Sequence, residues 1–173
     1  THSAERKRGG EMIEIEELVK TYGTVQAVQG LSFSVRKGEI VGLVGPNGAG
    51  KTTTLRCTTG IIPPTSGRVR IAGFDLMAQP LEAKRRMAFV PDEPAYLADA
   101  TLATIAAATA PFYPGWDQNR FVALAAEFEL PLGKKFKTLS HGTKTKFSLS
   151  LALSLGAELL VLDEPTSGLD PVF

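Results

Sequence analysis

Net charge is almost absent from this sequence: 19 Lys and Arg stand against 18 Asp and Glu, a formal +1. Nothing in that balance supplies the global basic field that would demand a nucleic-acid partner. Cysteine is nearly missing too. Cys57 alone closes no internal disulfide, and a lone thiol suits a reducing compartment. No hydrophobic run is long enough for a bilayer helix: the longest uncharged stretch, Ala100 to Trp116, is short and broken by several Thr, two Pro and a Gly. The opening "THSAERKRGGE" has clustered charges with no apolar region behind them, so this stretch is not expected to be a secretory signal. Internal repeats and low-complexity linkers are absent as well.

What remains is enough for one domain with a substantial core: 173 residues, 43% of them hydrophobic. Residues 1–11 read as a tag remnant or N-terminal extension outside the fold, with Met12 a candidate natural start. The N-terminal third then alternates. In "MIEIEEL", Ile13 and Ile15 face one way and Glu14 and Glu16 the other, and "LSFSV" repeats the pattern, which predicts half-buried antiparallel strands. "EIVGLVG" changes the pattern: Ile40, Val41, Leu43 and Val44 are nearly continuous, as in a strand covered on both faces. "GRVRIAG" and "MAFVP" predict further short strands, and "ELLVLDE" a second fully buried one. Leu102, Ile105 and Thr109 recur at helical spacing up to Pro111. Asp117 caps a second predicted helix with Phe121, Leu124, Ala125 and Phe128 on one face and Pro131 beyond its end. The segment "KFSLSLALSLG" alternates at period two, which argues strand, yet it follows Ser140, a plausible helix cap. Periodicity leaves both readings open there.

Two motifs carry chemistry. "GPNGAGKT", Gly45 to Thr52, fits G-x-x-x-x-G-K-[ST] at every fixed position, between a predicted strand and a helical run. Glycines let successive backbone N–H groups curl around a polyphosphate, at the positive end of a helix. Lys51 reaches the outer phosphates as a point charge, and the Thr52 hydroxyl suits Mg²⁺. The second motif is the pair Asp163 and Glu164 at the end of an aliphatic run. Two carboxylates leaving a buried strand are costly unless compensated. A magnesium ion beside the phosphate loop would do so, with Asp163 in its shell and Glu164 orienting water for attack on the terminal phosphate.

With "GPNGAGKTT", "TLSHGTK" and "LLVLDEPTSGLD" in this order and spacing, the sequence resembles the nucleotide-binding domain of the ABC ATPase family, from about Met12 to the end. "FYPGWD" and "LSHGTKTKFSLSLAL" resemble the ATP-binding subunit of a bacterial exporter. The resemblance implies an α/β P-loop NTPase with a RecA-like core, an antiparallel β subdomain and an inserted α-helical subdomain over about 94–155. It implies ATP and Mg²⁺ as cofactors. The nucleotide is expected on Tyr22, Gly45, Pro46, Asn47, Gly48, Ala49, Gly50, Lys51, Thr52 and Thr53, with Tyr22 stacked on the adenine. Ser140, His141 and Gly142 occupy the signature slot that acts across a head-to-tail dimer, and Ser167 to Asp170 the loop that crosses its interface. The family's helix after the signature favours helix for the ambiguous segment. Between Lys134 and Lys146 stand five Lys and no acid, a positive field around that slot.

Two departures stand out. Asp92, in "FVPDEPAYL", takes the place of the usual Gln, and a carboxylate there is expected to join the magnesium shell. The family continues past "SGLDP" with a helix, a core strand and a His, whereas the only histidines here are His2 and His141. The expectation is therefore a piece of a longer protein. The implied function is the ATP-binding, ATP-hydrolysing subunit of an ABC transporter, cytoplasmic and peripheral at the inner face of the membrane, energising a membrane-spanning partner. The alternatives are an ABC ATPase acting outside transport and an ATP-binding fragment without turnover.

Overall fold

The computed structural model describes residues 10–164. Packing separates two compact units, residues 1–86 and 87–173.

In the first unit β1 (Glu11–Tyr22) and β2 (Val25–Arg36) form a long antiparallel hairpin turned at Gly23. The free edge of β1 pairs with β3 (Ser66–Ile71), which pairs in turn with the short β4 (Phe74–Asp75), giving the order β2-β1-β3-β4. Alternation sets the faces. Ile13, Ile15 and Leu18 are buried while Glu14 and Glu16 are half-exposed. Opposite those two acids stand Arg70 and Arg68, and the Arg70 guanidinium lies 3.8 Å from Glu14 and 3.4 Å from Glu16. Facing charges of opposite sign favour this register over one slipped by a residue. The first strand takes in Glu11, which the sequence reading placed with the extension. Helices α1 (Lys51–Thr58) and α2 (Pro80–Lys84) complete the unit.

The connection from β2 to α1 departs from expectation. "EIVGLVG" was expected as a strand buried on both faces, but residues 39–46 form no strand, Ile40 is 100% exposed and Val44 98%. An aliphatic run supplies the demand for cover, whereas the cover and the ladder hydrogen bonds come from neighbouring strands. Among the described residues none pairs with it.

The second unit is built on β5 (Met87–Val90) and β6 (Leu159–Leu162), parallel and in register from Met87↔Leu159 to Val90↔Leu162. Three helices lie between them in sequence: α3 (Leu102–Thr109), α4 (Gln118–Glu127) and α5 (His141–Ser154). Thr101 and Asp117 cap the first two, accepting from Thr104 N–H at 3.1 Å and Arg120 N–H at 2.9 Å. Pro111 falls in a 3₁₀ turn just after α3. The β6 strand also corrects the sequence reading: Leu160 and Leu162 are exposed and only Val161 is well buried. Their alternation is that of a sheet covered on one face, not two.

The segment that periodicity left open is helix α5. Its buried face holds Phe147 and Leu151, in one cluster with Leu102, Ile105, Phe121, Ala125 and Phe136, and Ala152 and Leu155 pack with Ala88 and Val90 of β5. Buried hydroxyls are compatible with this because they bond back along the helix: Ser150 Oγ donates to Lys146 O at 2.9 Å and Ser154 Oγ to Ser150 O at 2.7 Å. The helix ends against the turn before α4. Asp117 N–H donates to Ser154 O at 2.8 Å, and Gly115 and Gly156 meet backbone to backbone.

Gly156 has φ 67, and a Cβ there would overlap the Gly115 carbonyl. Gly156→Ala is therefore expected to cost about 1–2 kcal/mol from the left-handed backbone alone, with the overlap in addition. Urea denaturation of wild type and variant measures it; equal midpoints would contradict the packing described.

Candidate functional site

The phosphate loop lies in the first unit. Gly48 and Gly50 take φ 84 and 83, and a turn closes where Ala49 N–H donates to Pro46 O at 3.2 Å. Gly50 is the N-cap of α1 and brings no side-chain acceptor, and no acid lies in the first turn. Helix amides at such an end need acceptors from elsewhere, and the macrodipole favours an anion. Lys51 folds over the loop, its ammonium donating to Gly45 O at 2.7 Å and Pro46 O at 3.0 Å. Gly45 to Ala49 are exposed, while Gly50, Lys51, Thr52 and Thr53 are half-buried.

The same unit presents Tyr22. It ends β1, pairs with Val25 and is 50% exposed. Two residues along β2 from Val25 is Ala27, whose carbonyl abuts Gly50 so closely that a Cβ on Gly50 would overlap it. One hairpin thus holds both the aromatic ring and the start of the helix that follows the phosphate loop. Sequence reasoning passed over Lys20, whose ammonium lies 5.1 Å from the Tyr22 ring centroid. The spacing of two on a strand was the signal that could have found it.

The second unit carries the acids. Asp163 follows β6 and its N–H extends the ladder to Val90 O at 2.9 Å, which holds the residue at the carboxyl end of the parallel pair. The carboxylate is buried, 5% exposed. Asp92 leaves the same end of β5, two residues past Val90, and is half-buried. Open α/β sheets take their ligands at that end. Glu164 is exposed and has φ 46, a left-handed backbone that a non-glycine residue adopts only at a cost of about 1–2 kcal/mol. Ser140 caps α5, its Oγ accepting from Thr143 N–H at 3.2 Å and lying 2.8 Å from Thr143 Oγ1, beside exposed His141 and half-buried Gly142. Residues 167–170, expected to cross a dimer interface, lie outside the described residues.

Among the described residues no three His, Cys, Asp or Glu side chains gather around a metal position. Of the expected metal donors, Thr52 lies in the first unit and Asp92 and Asp163 in the second; a hydroxyl and carboxylates are each oxygen ligands of the kind that suits Mg²⁺. No described helix is long and apolar enough to cross a membrane.

A family model described as ABC transporter matches residues 28–167. The chain belongs to that family. It is similar to the linearmycin resistance ATP-binding protein LnrL of Bacillus subtilis (strain 168), 36% identical over 166 residues, 92% of this chain and 53% of that protein. It is also similar to the SkfA peptide export ATP-binding protein SkfE of the same organism, 37% identical over 92% of this chain and 68% of that one. The chain thus spans about half of LnrL. A solved ATP-binding subunit of an ABC transporter matches with TM-score 0.85 at 31% identity, over 93% of this chain and 69% of that chain. The ATP-binding cassette MJ0796 in a dimeric, post-hydrolysis state with ADP and Pi shares the fold, with TM-score 0.81 at 22% identity, over 93% and 77% of the two chains. The chain is an α/β P-loop NTPase of the ATP-binding cassette kind, as its motifs imply.

Gly48 and Gly50 share a left-handed backbone, but a Cβ on Gly48 meets nothing within 4 Å. Gly50→Ala is expected to lower the melting temperature and the affinity for a fluorescent ATP analogue more than Gly48→Ala does. The difference isolates the Ala27 contact, and equal losses would show that the hairpin does not brace the loop.

Proposed function

We propose that this chain is the ATP-binding and ATP-hydrolysing part of an ABC transporter, working in a head-to-tail dimer and energising a membrane-spanning partner. The observation that carries the reading is the glycine-capped, acid-free start of α1 with Lys51 folded onto its loop, in a chain of this family. The name of SkfE, peptide export, favours outward transport. Such a subunit works at the cytoplasmic face of the membrane.

In this reading the backbone N–H groups of the loop and Lys51 bind the β- and γ-phosphates, and Tyr22 stacks on the adenine. Thr52, Asp163 and Asp92 would hold Mg²⁺, which when bound neutralises charge on the phosphate oxygens. Glu164 accepts the proton of the attacking water and sets its direction. The strained backbone at Glu164 is of the kind that accumulates where a side chain must be aimed. Ser140 and the Gly142 backbone would serve the nucleotide held by the opposite subunit, whose γ-phosphate meets the N-terminus of α5. Asp92 would supply a second anionic ligand in place of the family's amide.

Glu164→Gln is expected to leave ATP affinity within about threefold while lowering turnover by roughly 10²-fold or more, measured by phosphate release beside nucleotide titration. Wild-type turnover in that variant would remove Glu164 as the base. Asp92→Asn is expected to raise the Mg²⁺ concentration needed for half-maximal hydrolysis, and an unchanged Mg²⁺ titration would take Asp92 out of the metal shell.

A further inference from the structure

Lys20 and Tyr22 are two apart on β1, so their side chains leave the same face of the strand. The Lys20 ammonium lies 5.1 Å from the Tyr22 ring centroid, within the range of a cation–π contact. It does not swing freely, because it also donates to Pro63 O at 2.8 Å. Pro63 belongs to the loop leading from α1 to β3, and two more hydrogen bonds fasten that loop to the same end of β1. Thr65 N–H donates to Val19 O at 2.8 Å, and Thr21 N–H to Thr65 Oγ1 at 3.0 Å. The charge of Lys20 is felt at Cys57 on α1, where it opposes the upward push of burial on the thiol. The ammonium is thus anchored between the tip of the hairpin and the loop that follows α1.

A surface tyrosine with a free χ1 loses rotamer freedom when a ligand stacks on it, and that loss weakens binding. An anchored cation against one side of the ring removes much of that freedom in advance. We propose that Lys20 is a positioning residue for the nucleotide: it holds the Tyr22 ring by covering one of its faces and leaves the other as the platform for the base. The proposal rests on the reading of Tyr22 as that platform. It gives Lys20 no contact with the phosphates, so its effect belongs to the base alone.

The test measures dissociation constants of the full chain for Mg·ATP and for inorganic tripolyphosphate, by titration calorimetry. Lys20→Met is expected to weaken ATP about two- to fivefold and to leave tripolyphosphate unchanged. Unchanged tripolyphosphate binding also certifies that the variant folds. Lys20→Arg, whose guanidinium can still reach Pro63 O and lie on the ring, is expected to restore ATP affinity. In a Tyr22→Ala background, Lys20→Met is expected to add nothing. Equal weakening of ATP and tripolyphosphate, or the same loss with and without the ring, would overturn the proposal. If Tyr22→Ala weakens ATP while Lys20→Met does not, the platform stands and Lys20 has no part in it. If Tyr22→Ala itself changes nothing, the platform fails and the proposal fails with it.

Discussion

The first N–H groups of an α-helix point out along its axis with no acceptor inside the helix, and at α1 the capping residue, Gly50, has no side chain to take one of them. A serine or aspartate at the cap would satisfy one of them, as Ser140 does for α5 and Asp117 for α4. Gly50 does not, and its bare Cα also lets α1 start hard against Ala27. The same atom therefore sets both the openness of the helix end and its distance from the hairpin. The Lys51 ammonium rests on two carbonyls of its own loop.

In the second unit the constraint is a parallel register. Pairing Val90 with Leu162 means that whatever follows each strand emerges at one end, so Asp92 and Asp163 arrive together although 71 positions separate them in sequence. The Asp163 N–H, bonded to Val90 O, carries that register one residue beyond the strand. Burial of the carboxylate at that point is what makes a cation a fitting companion.

What could be read from the sequence is what depends on neighbours in the chain. The caps at Asp117 and Ser140, the break at Pro111 and the alternating faces of β1 and β2 are decided within a few residues, and all stand in the structure. The phosphate loop was legible for the same reason: its conformation follows from glycines at fixed spacing. Residues 40–44 were misread because a strand is made by its partners, and aliphatic side chains report only that partners are wanted. Leu160 and Leu162 misled in the same way. In α5 the period-two pattern was real but irrelevant, since serines that bond to the carbonyl four residues back can be buried as readily as the leucines between them. The spacing of two placed Lys20 beside Tyr22, but the bond that anchors its ammonium goes to Pro63, more than forty residues away, and could not be read locally.

Helix α5 is 14 residues long, roughly 21 Å of continuous backbone. Its start is Ser140 and its end is clasped by the Gly115–Gly156 contact and the Asp117–Ser154 hydrogen bond. The cap at Ser140 and the turn before α4 are thus joined by one continuous helix, whose last turn packs on β5 through Ala152 and Leu155.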